Sequence, residues 1–160
     1  MDTFVIEGGN PLNGTVKING AKNAALPMMA ACILTNEDVI LHNVPMLRDI
    51  LTMEEILTFL GVSVTRENGN TLRLNAGNIN KNEAPYDLVR KMRASICLLG
   101  PLLARTKSAR ISMPGGCIIG PRPVDLHIKG IKRLGVDVDI EHGYIKAKGD
   151  LKGADDIFLG

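Results

Sequence analysis

The sequence has few aromatic residues and little net charge. Only 3% of its 160 residues are aromatic, none is Trp, and the formal net charge is +2. Proteins that bind single-stranded nucleic acid usually stack the bases on aromatic rings along a positively charged groove. The composition therefore indicates no nucleic-acid partner.

The sequence also lacks the features of a membrane or secreted protein. No apolar run reaches the roughly 20 residues that cross a bilayer, and the first residues, MDTFVIEGGN, have neither region of a signal peptide. Of only three cysteines, Cys32 and Cys97 lie within apolar runs and are interpreted as core residues. Free thiols are typical of a reducing compartment. We therefore expect a cytoplasmic protein with no membrane partner.

Common metal and cofactor motifs are missing as well. His42, His127 and His142 do not have the spacing to cysteine of a zinc site. The sequence has no Cys-x-x-Cys pair, no Walker-type phosphate loop and no G-x-G-x-x-G after a strand. These absences disfavour a zinc protein, a dithiol redox protein and a dinucleotide-binding fold.

The sequence does contain a repeat. Two stretches, at about residues 21–77 and 84–150, each run through an apolar segment, a strand, an amphipathic helix and a hairpin. Leu-Gly-Val at residues 60–62 returns at residues 134–136. A shared period of this kind predicts a duplicated supersecondary unit and an α/β fold built of α+β repeats. The tail from residue 151 to 160 is interpreted as a strand that begins a third unit.

The predicted elements differ in how far they should be buried. Residues 24–34 and 94–104 are apolar on every side, so we expect two buried central helices with the sheets outside them, and a kink at Pro101. Helices over residues 49–60 and 124–134 have one apolar face, and each is followed by a hairpin. In the second hairpin Val136, Val138 and Ile140 alternate with acidic residues, so we expect them all on its buried side.

Cationic residues stand where both apolar helices are predicted to begin. Lys22 and Asn23 precede the first, and three cations within residues 90–93 occupy the opening turns of the second, after an expected N-cap at Asp87. A cation is unfavourable at a helix N-terminus unless an anion is bound there. The alternative is that these side chains extend into solvent.

The loop of residues 114–123, PGGCIIGPRP, contains the third cysteine, Cys117. Three glycines lie within six residues of it, and Arg122 precedes a predicted helix start at Pro123. A thiol near Arg can have a lowered pKa and become a nucleophile. The alternative is an unreactive loop cysteine.

Several motifs together resemble one enzyme family. They are GAKNAALP at residues 20–27, APYDLV at 84–89, MRAS at 92–95, PGGC at 114–117 and RPVDLHI at 122–128. In this order they resemble the UDP-N-acetylglucosamine 1-carboxyvinyltransferases, over essentially the whole chain. The resemblance implies an inside-out α/β barrel whose domains each contain three such units. It also implies that residues 1–20 form a strand segment packing with a missing C-terminal domain, and that residues 21–160 are a partial N-terminal domain.

The resemblance also implies an activity and a set of site residues. The family transfers the enolpyruvyl group of phosphoenolpyruvate to the 3′-hydroxyl of UDP-N-acetylglucosamine, in peptidoglycan synthesis, without a metal or organic cofactor. Cys117 would be the general acid, able to form a covalent adduct and to react with fosfomycin, and Lys22, Asn23 and Arg122 would bind phosphoenolpyruvate. The residues implied to bind the UDP-sugar are Arg93, Arg122, Pro123, Val124, Asp125 and Leu126. Cys97 stands where some relatives carry an aromatic residue.

Two alternatives to an enzyme fragment remain open from the residues alone. The chain could be a non-catalytic half domain that binds a nucleotide sugar, or a folding fragment without ligand affinity. A reading frame that continues into further repeats would favour the enzyme, whose partners would be its two small-molecule substrates and its own C-terminal domain.

Overall fold

The chain forms two successive groups of elements, each with a helical run, a three-stranded sheet and an amphipathic helix. The computed structural model describes residues 3–90, 92–113 and 124–158. The first group consists of α1 (Lys22–Ala31), a 3-10 turn (Cys32–Leu34), β1 (Asp38–Leu41), α2 (Arg48–Leu60), β2 (Ser63–Glu67) and β3 (Thr71–Asn75).

The second group repeats this order of helices and strands, but its helical run is divided into three parts. Its elements are α3 (Tyr86–Val89), a 3-10 segment (Arg93–Leu98), α4 (Leu99–Thr106), β4 (Ser108–Ser112), α5 (Asp125–Arg133), β5 (Asp137–Glu141) and β6 (Tyr144–Lys148). Among the described residues, no helix has the length and apolar character needed to cross a membrane.

The two sheets have the same strand order. The first is β1-β3-β2 and the second β4-β6-β5, and every pairing is antiparallel. In both, the last strand of the group is central and buries alternate side chains. Tight turns close both hairpins. The first turn spans residues 68–70, with positive φ at Asn68 and Gly69, and the second spans His142 and Gly143, both with the positive φ of a type I′ turn. The Asn-Gly pair was a recognisable turn signal in the sequence.

Helix α2 confirms the apolar face expected from its sequence. Its core-facing residues are fully buried: Ile50, Met53, Ile56, Leu57 and Leu60. The helix ends at Gly61, whose φ of 100° is in the left-handed region. A Cβ there would lie 2.5 Å from the carbonyl oxygen of Asn78, so the position also requires the absence of a side chain.

Within this chain helix α1 is buried on one face only, so the expected burial on all sides is not seen among the described residues. Ala25, Leu26, Met29 and Ala30 lie in the core, whereas Met28 is 53% exposed. The reason is geometric: in the described part of the chain, α1 packs on α2 and on the 3-10 segment, which cover one side of it.

The second apolar run is not one continuous helix. It is a 3-10 segment that passes into α4 at Leu99, two residues before Pro101. Pro101 therefore lies in the first turn of α4, where its missing N–H costs no hydrogen bond within α4. The kink expected at Pro101 stays a prediction. The expected N-cap was also misplaced: α3 begins after Pro85, and Asp87 lies inside it, in an ion pair with Arg90.

The second amphipathic helix is less buried than expected. Ile128 and Ile131 of α5 are half-buried, and no residue of α5 is fully buried. Ile140 on β5 is 55% exposed, although it was expected beside the buried Val138. Helix α5 packs against β5, and Ile140 lines an open recess together with Ile128 and Lys132 of that helix.

Among the described residues, the terminal segments 3–20 and 151–158 form no strand within this chain. Residues 3–20 are without regular secondary structure. They expose six large apolar side chains: Phe4, Val5, Ile6, Leu12, Val16 and Ile18. Residues 151–158 likewise form no strand. A strand exists only through hydrogen bonds to another strand, and the described strands pair elsewhere.

Candidate functional site

An open cavity of about 460 Å3 lies where the two groups of elements meet. The starts of α1, of α2 and of the 3-10 segment contribute to its wall, together with α5. Its lining residues are Lys22, Asn23, Leu26, Pro27, Asp49, Arg93, Ala94, Ile96, Cys97 and His127. The cavity thus joins parts of the chain that are far apart in sequence.

Just before α1, the backbone at Gly20 passes close to the backbone of Asn43, which fixes where the chain enters the helix. A Cβ on Gly20 would lie 1.9 Å from the carbonyl oxygen of Asn43, so that only glycine fits there. The carbonyl of Ala21 then accepts the first helical hydrogen bonds, from the N–H groups of Ala24 and Ala25 at 3.1 and 3.0 Å. This arrangement places Lys22 in the first turn of α1, at the cavity.

Lys22 is held by a carboxylate on the neighbouring helix. Its Nζ donates to Oδ2 of Asp49 over 2.6 Å, and the two side chains are 39% and 36% exposed. Asp49 lies in the first turn of α2. Each residue of the pair thus stands at a helix N-terminus and borders the same cavity.

Arg93 enters the cavity wall from the 3-10 segment. The buried hydroxyl of Ser95 donates to the carbonyl of Met92 at 2.7 Å and that of Val89 at 3.3 Å, which ties the start of the segment to the end of α3. Arg93 itself is exposed, and the described residues offer no carboxylate in an ion pair with it. Its guanidinium is available to an anionic ligand.

The described cysteines differ in their surroundings. Burial raises the pKa of the Cys32 thiol to about 12, in agreement with its interpretation as a core residue. Cys97 was also expected in the core, but it is half-buried and lines the cavity. Partial burial raises the pKa of its thiol as well.

The structure brings together only some of the residues expected at the site. Lys22, Asn23 and Arg93 line one cavity. Val124 is buried before α5, and Asp125 and Leu126 lie in the first turn of that helix without lining the cavity; Leu126 is 48% exposed. The expected site residues Cys117, Arg122 and Pro123 fall outside the described residues.

Two cavity residues were missed by reasoning from the sequence. Asp49 was considered only as the start of an amphipathic helix, and it is 27 positions from Lys22, its partner. His127 was considered only as a zinc ligand, although it belongs to the RPVDLHI motif. That motif was the one signal that could have placed His127 at the site.

The cavity can accommodate an anion. Two cations and a side-chain amide, from Lys22, Arg93 and Asn23, face one carboxylate, from Asp49. Cationic donors fixed around a site stabilise phosphate and carboxylate groups and the charge that develops on them during reaction. In the ranges that the structure describes, no group of three or more His, Cys, Asp or Glu side chains is placed to hold a metal ion.

The sequence comparison identifies the family. The sequence pattern of EPSP synthase (3-phosphoshikimate 1-carboxyvinyltransferase) matches residues 6–156, nearly the whole chain. The chain belongs to the EPSP synthase family. Within it, a protein of Methylacidiphilum infernorum named UDP-N-acetylglucosamine 1-carboxyvinyltransferase is 55% identical over 151 residues, which are 94% of this chain and 35% of that protein. A protein of the same name from Idiomarina loihiensis is 52% identical over 157 residues, 97% of this chain and 38% of that protein.

These relatives confirm the resemblance seen in the motifs. The chain spans about a third of the length of the curated relatives it matches, between 35% and 38%.

Solved structures of the EPSP synthase family share the fold. The enolpyruvyl transferase NikO from Streptomyces tendae superposes with a TM-score of 0.77 at 25% identity, over 91% of this chain and 32% of NikO. EPSP synthase from Acinetobacter baumannii gives a TM-score of 0.52 at 18% identity, over 81% of this chain and 31% of that one. The mixed helices and small sheets are therefore those of enolpyruvyl transferases.

Proposed function

We propose that this chain forms part of an enzyme that transfers the enolpyruvyl group of phosphoenolpyruvate to the 3′-hydroxyl of UDP-N-acetylglucosamine, releasing phosphate, in cytoplasmic peptidoglycan synthesis. The observation that carries the proposal is the convergence of Lys22, Asn23 and Arg93 on one cavity. The curated relatives bear the name of this activity. Both substrates are polyanions, and the cavity presents the cations that such substrates need.

The reaction proceeds by addition and elimination. A proton is added to the vinyl methylene carbon of phosphoenolpyruvate, and the 3′-hydroxyl oxygen attacks the adjacent carbon, losing its own proton. The tetrahedral ketal that results then loses a methyl proton and phosphate, which restores the double bond. We propose Cys117 as the donor of the first proton, and Lys22, Asn23 and Arg122 as the groups that hold phosphoenolpyruvate.

The nucleotide sugar would extend from the cavity toward the start of α5. His127 of α5 borders the cavity, so Asp125 and Leu126, in the first turn of the same helix, are close by. Helix N-termini attract phosphate groups through their free N–H groups. We propose that Arg93 binds the UDP-sugar together with Arg122, Pro123, Val124, Asp125 and Leu126.

We propose that the two groups of elements are two copies of one unit of an inside-out barrel, at about residues 21–77 and 84–150. The identical order of the two sheets and the two positive-φ residues in each hairpin turn support this. Residues 1–20 would then pack with a C-terminal domain, and residues 151–160 would begin a third unit. The exposed apolar side chains of residues 3–20 are suited to such packing.

A chimaera tests the activity. This chain replaces the matching 35% of the Methylacidiphilum infernorum relative, and phosphate release is measured with both substrates and with each alone. We expect release only when both substrates are present. Turnover with 3-phosphoshikimate instead of UDP-N-acetylglucosamine would contradict the proposed acceptor. Tight binding of UDP-N-acetylglucosamine without any turnover in the chimaera would favour a nucleotide-sugar-binding half domain.

A further inference from the structure

The ion pair between Lys22 and Asp49 has an unusual setting. Both side chains are more than a third exposed, and both border the cavity. The pair between Arg66 and Glu54 is different: its side chains are only 15% and 18% exposed, and Arg66 also donates to the carbonyl of Gly69 at 2.8 Å, which fixes the hairpin to α2. That pair has a structural role, whereas Asp49 acts on a side chain that faces the ligand space.

A carboxylate in an anion-binding cavity requires an explanation. Asp49 is the one acidic side chain among the described residues that line this cavity, where it accompanies Lys22 and Arg93. At a distance of a few ångströms it repels an anionic ligand. Its presence therefore costs binding energy unless it has a second effect on the site.

Helix geometry supplies that second effect. Asp49 is stabilised by its position in the first turn of α2, because the N-terminal end of a helix is partly positive. Lys22 has the opposite situation: α1 has no acidic residue in its first turn and no side-chain cap at its start. The helix end therefore repels the ammonium group, and Asp49 holds it in place.

We propose that Asp49 is a positioning residue that holds the Lys22 ammonium group at the cavity for phosphoenolpyruvate; the proposal rests on the proposed function. A lysine ammonium carries three N–H donors on a flexible stem. The 2.6 Å bond to Asp49 uses one donor and leaves two for the ligand. Asp49 does not itself touch the substrate.

The substitution Asp49→Asn separates this role from a purely electrostatic one. If Asp49 only repels the anion, its neutralisation tightens phosphoenolpyruvate binding. If Asp49 positions Lys22, the substitution frees the ammonium group to leave the cavity. The value of kcat/KM for phosphoenolpyruvate then falls by about 10- to 100-fold, as expected for a misplaced binding group. Asp49→Glu keeps the charge and should restore part of the loss.

The kinetic test uses the full-length chimaera with Asp49→Asn, Asp49→Glu, Lys22→Met and the double variant of Asp49→Asn with Lys22→Met. Glu55→Gln is the matched control, since it removes one charge from the exposed side of the same helix, outside the cavity. We expect the double variant to be no worse than Lys22→Met alone, because Asp49 acts through Lys22. An Asp49→Asn variant with unchanged or higher kcat/KM, or full additivity of the two losses, overturns the proposal.

A binding measurement covers the case in which the chimaera is inactive. The 160-residue chain and its Asp49→Asn variant are titrated with phosphoenolpyruvate by NMR, and circular dichroism checks that both are folded. Weaker binding by the variant supports positioning, and equal or tighter binding overturns it. An active wild-type chimaera with an unaffected Asp49→Asn variant rejects the positioning role and leaves the proposed function standing. Absence of both turnover and binding in the wild type rejects both.

Discussion

At the scale of single residues, burial decides the chemistry of the described cysteines. Cys32 is 2% exposed, and its pKa of about 12 follows from the loss of solvation of the thiolate. Cys97 borders the cavity and is half-buried. Both thiols lie in apolar sequence, but reagents can reach Cys97 more easily than Cys32.

The raised pKa of Cys32 predicts a loss of stability in alkali. Its thiol has an ordinary pKa of 9.0, against about 12 in the folded chain, so the folded state retains its proton over a range in which the unfolded state loses it. The stabilisation is complete below pH 9 and declines as pH rises from 9 to 12, by up to about 1.4 kcal/mol per pH unit. Denaturant unfolding from pH 8 to 10.5 measures it. Cys32→Ala should show a shallower decline; equal slopes would contradict the assignment.

The thiols should react with a small electrophile in a fixed order. We expect Cys117 to be modified first, because it lies in a glycine-rich loop five positions from Arg122. Cys97 should follow slowly from the cavity wall, and Cys32 should react last, since at pH 8 only about one in 10⁴ of its thiols is ionised. Peptide mass spectrometry at successive times gives the order. Modification of Cys32 before Cys97 would show that the core opens more easily than its burial indicates.

Parts of the candidate site could be predicted at this scale and parts could not. The charges of Lys22 and Arg93 stand at expected helix starts, a local pattern, and the family motifs at residues 20–27 and 92–95 gave them a binding role. Asp49 could not be found in this way, since its contact with Lys22 depends on the packing of α1 against α2. The same holds for Cys97, whose exposure depends on which elements leave the cavity open.

At the scale of elements, the period of apolar residues predicted α2 correctly and α1 only in part. The spacing in α2 specifies one face, and that face is buried. In α1 every side is apolar, so the sequence cannot show which side this chain covers. Local turn chemistry was equally informative at Asn68-Gly69, whereas residues 3–20 lack the partner that would make them a strand.

Two adjacent methionines of α1 should therefore tolerate polar substitution very differently. Met29 is fully buried and Met28 is 53% exposed. We expect Met29→Gln to lower the free energy of unfolding by about 2–5 kcal/mol, because it removes packing and buries an amide. Met28→Gln should change it by less than about 0.5 kcal/mol. Urea unfolding of both variants checks this, and a large loss with Met28→Gln would mean that this face is covered in solution.

The glycine at the end of α2 should be less replaceable than one in a hairpin turn. Gly61 and Gly69 both have positive φ, 100° and 77°, but only Gly61 has a backbone atom in the space that a Cβ would occupy. Gly69→Ala should cost about 1–2 kcal/mol for the left-handed conformation alone. Gly61→Ala should cost clearly more, because Asn78 must also move. Equal losses in thermal or urea unfolding would show that the segment around Asn78 yields freely.

At the scale of the whole molecule, this chain is short relative to the proteins that it resembles. The cavity is open, and the curated relatives are almost three times as long. We expect the 160-residue chain alone not to catalyse enolpyruvyl transfer, since the charges at this cavity are one part of the proposed machinery. Phosphate release with both substrates measures it. Turnover within about tenfold of the roughly 10 per second of a typical enzyme would contradict this expectation.

The order of strands in the sheets has a consequence for synthesis on the ribosome. In each sheet the central strand is the one made last, so β1 cannot pair until β3 has emerged. Leu41, at the end of β1, and Thr71, at the start of β3, are 30 positions apart, which is roughly 1.5–6 s at about 5–20 residues per second. During that interval β1 presents unpaired backbone groups to other nascent chains. The codons between these two strands therefore set how long the first sheet is open to intermolecular pairing. A similar interval of 32 positions separates Ser112, at the end of β4, from Tyr144, at the start of β6.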